Sequence, residues 1–247
     1  MSPAEMQAMA HTRPQELIEG VLPSGDVAVL AGVPGLGKSF VALSWAAAVA
    51  EGSEWFGHAV RQAPVVYVLG EGWRTFGRRI VAWEKVNGRS MPESLWFVDG
   101  QDFGLDLKDE ATVQQLIDTL AHVQPGLVIF DALSTLSTIH NENDNAEAAQ
   151  VIRNVDRIVH ATGATAVLIH RVTKTKRSVR VRGAGVLEGS PDTVIIADYD
   201  MNTVGSDRNF ALTTDKELGG KRRDGTPTTL HGFYVASPGV LDRASGV

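Results

Sequence analysis

Nine consecutive residues, from Gly32 to Phe40, contain the phosphate-binding pattern G-x-x-x-x-G-K-[ST] with every fixed position filled. Its glycines allow the backbone to turn N–H groups toward phosphate oxygens, Lys38 adds a positive charge, and Ser39 offers a hydroxyl ligand for Mg²⁺. The apolar run before the pattern and the helical stretch after it argue against a chance glycine turn. We therefore predict binding of ATP with Mg²⁺. The predicted nucleotide-binding residues are Gly32, Val33, Pro34, Gly35, Leu36, Gly37, Lys38, Ser39 and Phe40.

Three further polar residues stand at the ends of apolar runs, where an ATPase needs a metal ligand, a base and a group that contacts the γ-phosphate. Asp131 is predicted to bind Mg²⁺ beside Ser39, unless it only caps a turn. Glu71 is predicted to activate the attacking water, unless it caps a helix that starts near Trp73. His170 is predicted to hydrogen-bond the γ-phosphate region, with a buried structural histidine as the alternative.

The bulk composition is that of one large globular domain. The chain has 247 residues, of which 43% are hydrophobic, and its formal net charge is -6. It has no cysteine, which excludes disulfides, a thiol nucleophile and cysteine-ligated metals. We find no signal peptide and no run of about 18 apolar residues, so we expect a cytoplasmic protein with no membrane association.

Short apolar runs alternate with helical patterns, which is typical of a parallel sheet covered on both faces. The runs that predict parallel strands are residues 26–31, 65–70, 127–131 and 164–169. The patterns that predict helices are residues 39–50, 109–123 and 145–160. Shorter and more polar patterns that predict antiparallel strands are residues 193–197, 209–214 and 228–235. The predicted fold class is α/β, a mainly parallel central sheet flanked by helices with an antiparallel extension at the carboxyl terminus.

The same patterns divide the chain into three segments. Residues 1–20 are predicted to form a short helical arm, residues 21–236 the nucleotide-binding domain, and residues 237–247 a flexible tail.

Six basic side chains and no acidic one occur between residues 171 and 182, directly after His170. We predict that this segment is a loop that binds phosphates of single-stranded DNA, with a solvated loop as the alternative. Contact with four to six phosphates would give a slope of log K against log salt of roughly -3 to -4, at about 0.7 per contact. The predicted DNA-binding residues are Arg171, Lys174, Lys176, Arg177, Arg180 and Arg182.

The order of these motifs resembles the RecA-like ATPase core. It includes the phosphate loop, the Gly-Glu-Gly of residues 70–72, the Ile-Phe-Asp of residues 129–131, the polar stretch 141–145, and Arg-Gly-Ala-Gly-Val-Leu at residues 182–187. The greatest similarity is to the RepA-type helicases of plasmids and phages, and DnaB-type hexameric helicases are more distant. The resemblance covers roughly residues 15–235. It implies the same roles for the phosphate loop, Glu71, Asp131 and His170 that the residues themselves suggest.

The resemblance also implies a ring, with a hexamer as the expected form, in which a basic residue of the neighbouring subunit completes each ATP site. Lys216 and Arg222 follow a late strand pattern and are the candidates for this residue, unless the segment is only a solvated hairpin tip.

These observations favour an ATP-hydrolysing, DNA-dependent motor, of the kind that a RepA- or DnaB-like helicase provides in phage or plasmid replication. One alternative keeps the fold but makes the protein a recombination or repair ATPase without unwinding activity, with or without a nuclease role. A small-molecule kinase using the same phosphate loop is an alternative of another class. A nucleotide-controlled scaffold that hydrolyses ATP slowly is the third.

Overall fold

The computed structural model describes residues 2–3, 15–141, 144–174, 179–181, 185–199, 210–214, 228–237 and 240–243. Its strands are β1 (Glu16–Ile18), β2 (Leu22–Pro23), β3 (Val27–Gly32), β4 (Val65–Leu69), β5 (Leu95–Asp99), β6 (Leu127–Asp131), β7 (Thr165–Lys174), β8 (Val179–Val181), β9 (Thr193–Tyr199), β10 (Phe210–Thr213), β11 (Thr229–Ser237) and β12 (Val240–Arg243). Its helices are α1 (Lys38–Glu51), α2 (Trp73–Asn87), α3 (Glu110–Val123), α4 (Asn145–Thr162) and α5 (Val186–Gly189), with a 3-10 turn at Leu133–Thr135.

The main sheet has the strand order β12-β11-β10-β9-β3-β7-β6-β4-β5, and β8 pairs with the outer part of β7. Strands β9, β3, β7, β6, β4 and β5 are parallel to one another, whereas β10, β11 and β12 continue the sheet in antiparallel pairs. The predicted α/β fold with its antiparallel extension is therefore confirmed. The prediction of an antiparallel strand at residues 193–197 was wrong, because this strand is β9 and pairs in parallel with β3. Strand β3 leads into the phosphate loop and lies in the interior of the sheet.

Helices cover both faces of this sheet. Residues of α1 and α2 share one buried cluster with side chains such as Tyr67 and Ile129. Residues of α3 and α4 share the other cluster with side chains such as Val68 and Phe130. Every residue of β3, β4 and β6 is buried, and neighbouring residues of a strand point to opposite faces, so these strands are buried on both sides. This burial explains their continuous apolar sequence.

Two of the covering helices begin at aspartate caps. The Asp109 side chain accepts a hydrogen bond of 3.2 Å from the Ala111 N–H before α3. The Asp144 side chain accepts from the N–H groups of Ala146 and Glu147, at 2.7 and 3.2 Å, before α4. These caps satisfy donors that have no partner within the helix, so they fix where each helix starts.

The structure corrects several local predictions. The end of the supposed helical arm is strand β1, which pairs with β2 and buries Leu17 and Ile18, so these residues belong to the packed domain; residues 4–14 lie outside the described part. The predicted flexible tail contains strand β12, which pairs with β11; residues 238–239 and 244–247 lie outside the described part. Edge strand β5 has no predicted counterpart.

The fourth predicted strand is also longer than expected. Strand β7 continues to Lys174 and pairs with β8, from Val172↔Val181 to Lys174↔Val179. The described part of the basic segment is therefore the base of a β-hairpin rather than a loop.

Within the residues that the structure describes, no helix combines the length and the apolar character that crossing a membrane requires.

Candidate functional site

The phosphate loop connects β3 to the first residue of α1 at the carboxyl edge of the sheet. Gly37 immediately precedes α1 and has a backbone φ of 109°, a conformation that residues with a Cβ rarely adopt. Six of the nine predicted loop residues line a cavity of about 240 Å³ at this edge: Pro34, Gly35, Gly37, Lys38, Ser39 and Phe40. Gly32, Val33 and Leu36 do not line it, and the Leu36 side chain is buried in the core.

Lys38 is folded back over its own loop. Its Nζ donates hydrogen bonds of 2.8 Å to the Gly32 carbonyl and 3.0 Å to the Val33 carbonyl. Burial lowers the pKa of Lys38 to about 8, the charge of Asp131 opposes this shift, and the charge of Arg171 adds to it. A bound polyanion would favour the charged ammonium, because it brings further negative charge close to Lys38.

Asp131 is the last residue of β6, and only 7% of it is exposed. The hydroxyl of Tyr67 on β4 donates a hydrogen bond of 2.8 Å to Asp131 Oδ2. Burial, and then the charge of Asp131, raise the pKa of Tyr67 well above its usual value, so the phenol remains a donor. The tyrosine therefore fixes one carboxylate oxygen and leaves the other for a ligand in the cavity.

Glu71 lies on a short turn between β4 and α2, and its exposed side chain lines the same cavity. Residue Gly72 occupies the cap position of α2 without a side-chain hydrogen bond, so Glu71 does not act as the helix cap. The preceding Gly70 is fixed from two sides: its N–H donates to the Asp131 carbonyl at 2.7 Å, and its carbonyl accepts from Gln101 Nε2 at 3.1 Å. The position of Glu71 is thereby tied to that of Asp131.

His170 and Arg171 are consecutive residues of β7, and both line the cavity. His170 pairs with Ala31 and is 6% exposed, whereas Arg171 pairs with Gly32 and is exposed. His170 therefore lies in the cleft, and its hydrogen bond to the γ-phosphate region stays a prediction. The structure places Arg171, which the sequence assigned to the DNA loop, in the cleft beside the phosphate loop.

Arg79 and Tyr67 contribute polar groups to the site and were not predicted from the sequence. Arg79 of α2 lines the cavity, and its guanidinium lies 5.1 Å from the ring centroid of Phe40 and 5.2 Å from that of Phe76. The signal for Arg79 is its place among Phe76, Ile80 and Trp83, on the apolar face of an amphipathic helix. The sequence signal for Tyr67 is a tyrosine inside a continuous apolar strand, because a buried tyrosine hydroxyl usually has a hydrogen-bond partner.

The remaining predicted site residues fall into two groups. Lys176, Arg177, Arg182, Lys216 and Arg222 lie outside the described residues. Lys174 and Arg180 belong to strands β7 and β8 by their backbones, and these strands pair within one hairpin.

The donor groups of the cavity fit a nucleotide with Mg²⁺ better than a metal bound by protein alone. Among the residues that the structure describes, no group of three or more His, Cys, Asp or Glu side chains could hold a metal. Ser39 and Asp131 both line the cavity, and Mg²⁺ usually combines one or two such protein oxygens with substrate phosphates and water.

The fold and the site define a RecA-like P-loop ATPase. The model of the AAA_25 family, described as "AAA domain", matches residues 3–177. Because this match covers well over half of the chain, the chain belongs to that family.

Curated relatives agree with this class. The DNA repair protein RadA of Pseudomonas aeruginosa is 24% identical over 184 residues, which are 74% of this chain and 35% of that protein. RadA of Mycobacterium tuberculosis is 27% identical over 183 residues, 74% of this chain and 34% of that protein. The chain thus spans about a third of the length of the curated relatives it matches.

Solved structures agree as well. One of them, described as an ATPase domain, has a TM-score of 0.67 at 14% identity, covering 98% of this chain and 96% of that one. A KaiC-like protein of the archaeon Pyrococcus horikoshii has a TM-score of 0.56 at 15% identity, covering 94% of this chain and 99% of that one. At these identities the two structures support the fold alone.

Proposed function

We propose that the cleft hydrolyses ATP and that hydrolysis drives a DNA-dependent motor. The observation that carries this proposal is the convergence of the phosphate loop, Asp131, Glu71 and His170 on one cavity. Bound Mg²⁺ would supply positive charge to the phosphates, with Ser39 and Asp131 as its protein ligands. Lys38 would leave its loop carbonyls and contact the phosphates.

In the hydrolysis step, a water oxygen attacks the γ-phosphorus and the bond to the ADP oxygen breaks. Glu71 accepts the proton of the attacking water, for which a solvent-facing carboxylate at the cavity edge is suited. His170 contacts the γ-phosphate region from the neighbouring strand β7. The exposed turn around Glu71 gives water access to this side of the cleft.

The motor we propose is a homo-oligomeric ring, a hexamer of the RepA- or DnaB-like helicase type. Support comes from the motif order of the sequence and from the hairpin of β7 and β8, which begins directly beside the cleft. A basic hairpin continuous with the strand that contacts nucleotide could change position with ATP state and so couple hydrolysis to single-stranded DNA. Lys216 or Arg222 would complete the cleft of a neighbouring subunit.

The test measures ATP hydrolysis with and without single-stranded DNA, alongside the mass of the protein in solution. Neutralising four residues of the basic segment should abolish stimulation by DNA and leave ATP binding intact: Lys174, Lys176, Arg177 and Arg180. A matched control neutralises four exposed basic residues of helices α2 and α4: Arg78, Lys85, Arg153 and Arg157. Stimulation that survives the first set of changes, or that is lost equally with the control set, would reject the DNA role of the hairpin.

A second function, a recombination or repair ATPase without unwinding activity, is favoured by the similarity to proteins named DNA repair protein RadA. It shares the cleft and the DNA dependence, so ATPase assays do not separate the two. Strand displacement from a forked duplex does: ATP-dependent release of the displaced strand supports the helicase, and DNA-stimulated hydrolysis without release supports the second function.

A further inference from the structure

Arg171 lies on β7 at the edge of the cleft, between the phosphate loop and Asp131. Strand β7 lies between β3, which carries the phosphate loop, and β6, which carries Asp131. Arg171 pairs with Gly32, the last residue of β3. Its backbone therefore lies at the start of the phosphate loop, on the side that faces Asp131.

The alternation of side chains along β7 also places Arg171 on the nucleotide side of the sheet. Val167 and Ile169 belong to the cluster packed against α1, the helix that follows the phosphate loop, whereas Ala166 and Leu168 belong to the opposite cluster. Arg171 continues the first set, since residues two apart share a face. On β6, Ile129 and Asp131 are related in the same way.

The backbone around Arg171 is fixed on both sides. Gly32 pairs with it, and the next residue, Val172, is buried and pairs with buried Val181 of β8. The exposed guanidinium is then the part free to adjust to a ligand.

The excess of positive charge along the cavity favours binding of an anion beside Arg171. Among the described residues, three cations, Lys38, Arg79 and Arg171, face two anions, Glu71 and Asp131. Lys38 and Arg171 line one cavity, so their positive charges repel each other when no anion lies between them. An arginine fork matches the oxygens of a phosphate and can donate two hydrogen bonds to it.

We propose that Arg171 contacts the terminal phosphate of ATP bound to its own chain and stabilises the charge that develops there during hydrolysis. This inference rests on the proposed hydrolysis in the same cleft. It changes the predicted role of Arg171 from a DNA contact to a residue of the ATP site, and it gives each chain an arginine of its own beside any basic residue that a neighbour contributes.

The first experiment compares full-length Arg171→Gln with wild-type protein in the absence of DNA. We expect ATP affinity to fall about tenfold or more, as for loss of a hydrogen bond to a charged group, while ADP affinity changes less than about twofold. We expect kcat to fall by on the order of 10²–10³. Arg171→Lys keeps the charge and should recover part of both, and Arg78→Gln, an exposed arginine of α2 outside the cavity, should match wild type.

A mixing experiment tests whether Arg171 acts within its own chain. Arg171→Gln and Glu71→Gln proteins are mixed at equal concentration, and hydrolysis is measured without DNA. If both residues serve one and the same cleft of one chain, the mixture has only the mean activity of the two variants. Activity well above that mean would show that Arg171 serves a neighbour's cleft and would overturn the proposal.

Two further results would also overturn it. The first is an Arg171→Gln protein with wild-type ATP binding and hydrolysis but no stimulation by DNA, which would make Arg171 a DNA contact. The second is an equal loss of ATP and ADP affinity in Arg171→Gln and Arg171→Lys, which would place the guanidinium away from the terminal phosphate. Wild-type protein that binds no ATP would instead reject the proposed function itself.

Discussion

The nucleotide cleft has a buried floor and an exposed rim, and the two carry different kinds of group. On the floor, Asp131 and His170 lie on interior strands, and each is less than a tenth exposed. On the rim, Glu71 and Arg171 are exposed to solvent and line the same cavity.

The two regions also differ in how their positions are fixed. Asp131 is held through its side chain, by the hydroxyl of Tyr67. Glu71 is held through the backbone of its neighbour Gly70, and its own side chain faces the cavity. The difference teaches that the carboxylate proposed to bind Mg²⁺ is positioned before any ligand arrives, whereas the carboxylate proposed to activate water can adjust to nucleotide and solvent.

The largest expected effect separates chemistry at the rim from binding at the floor. Glu71→Gln should lower kcat by about 10²–10⁴, since it removes a general base, and should change ATP affinity less than about twofold. Stopped-flow hydrolysis and calorimetric ATP titration measure the two quantities. Glu54→Gln, an exposed glutamate outside the cavity, is the control. Wild-type hydrolysis by Glu71→Gln would assign the base to another residue, whereas normal function of this variant without fast hydrolysis would favour the slow, regulatory alternative.

An intermediate effect tests whether the floor is fixed by its tyrosine. Tyr67→Phe keeps the ring packed against Phe76 and Phe97 but removes the donor to Asp131. We expect the free energy of unfolding to fall by about 2 kcal/mol, as for loss of a hydrogen bond to a charged group, and the Mg²⁺ concentration needed for half-maximal ATP binding to rise. Urea denaturation and Mg²⁺ titrations check this. Tyr199→Phe, on a half-exposed tyrosine, should stay within about 0.5 kcal/mol of wild type.

The smallest expected effect concerns the pH dependence of ATP binding at the phosphate loop. The pKa of Lys38 is about 8 in the protein without nucleotide, mainly because of burial, and bound phosphates should raise it. ATP binding above pH 8 must then take up a proton, so ATP affinity should be flat below pH 8 and fall by up to about tenfold per pH unit above it.

Calorimetric titrations between about pH 7 and 9.5 measure this dependence on Lys38. Lys38→Arg, which stays charged throughout, should bind ATP with little change of affinity over the same range. An unchanged slope in that variant would mean that a different group titrates.

The interior of the fold was predictable because its strands are buried on both faces. Strands β3, β4, β6 and β7 were found from continuous apolar runs. The phosphate loop after β3 and the polar residues at the ends of the other three runs then pointed to the cleft. Edge strand β5 was missed because only Leu95 of its five residues is buried, which leaves little pattern to recognise.

Site residues were predictable where they belong to a sequence motif. They were less predictable where tertiary packing determines which side chains line the cleft. Arg171 was assigned to DNA because it heads a run of basic residues, and sequence spacing does not reveal its pairing with Gly32. Arg79 lies in the second turn of α2, and it enters the cleft because Phe40 and Phe76 hold its guanidinium.

The close contact at Gly70 has a consequence for how related sequences can vary. A Cβ at this position would overlap Thr135 Oγ1 and lie 2.7 Å from Leu136 Cγ. A larger residue at position 70 therefore requires smaller side chains at 135 and 136, and the three positions should covary in a family alignment. Exchanging the turn at residues 70–72 between homologues should therefore succeed only when the segment after β6 is exchanged with it, so the two segments should evolve together.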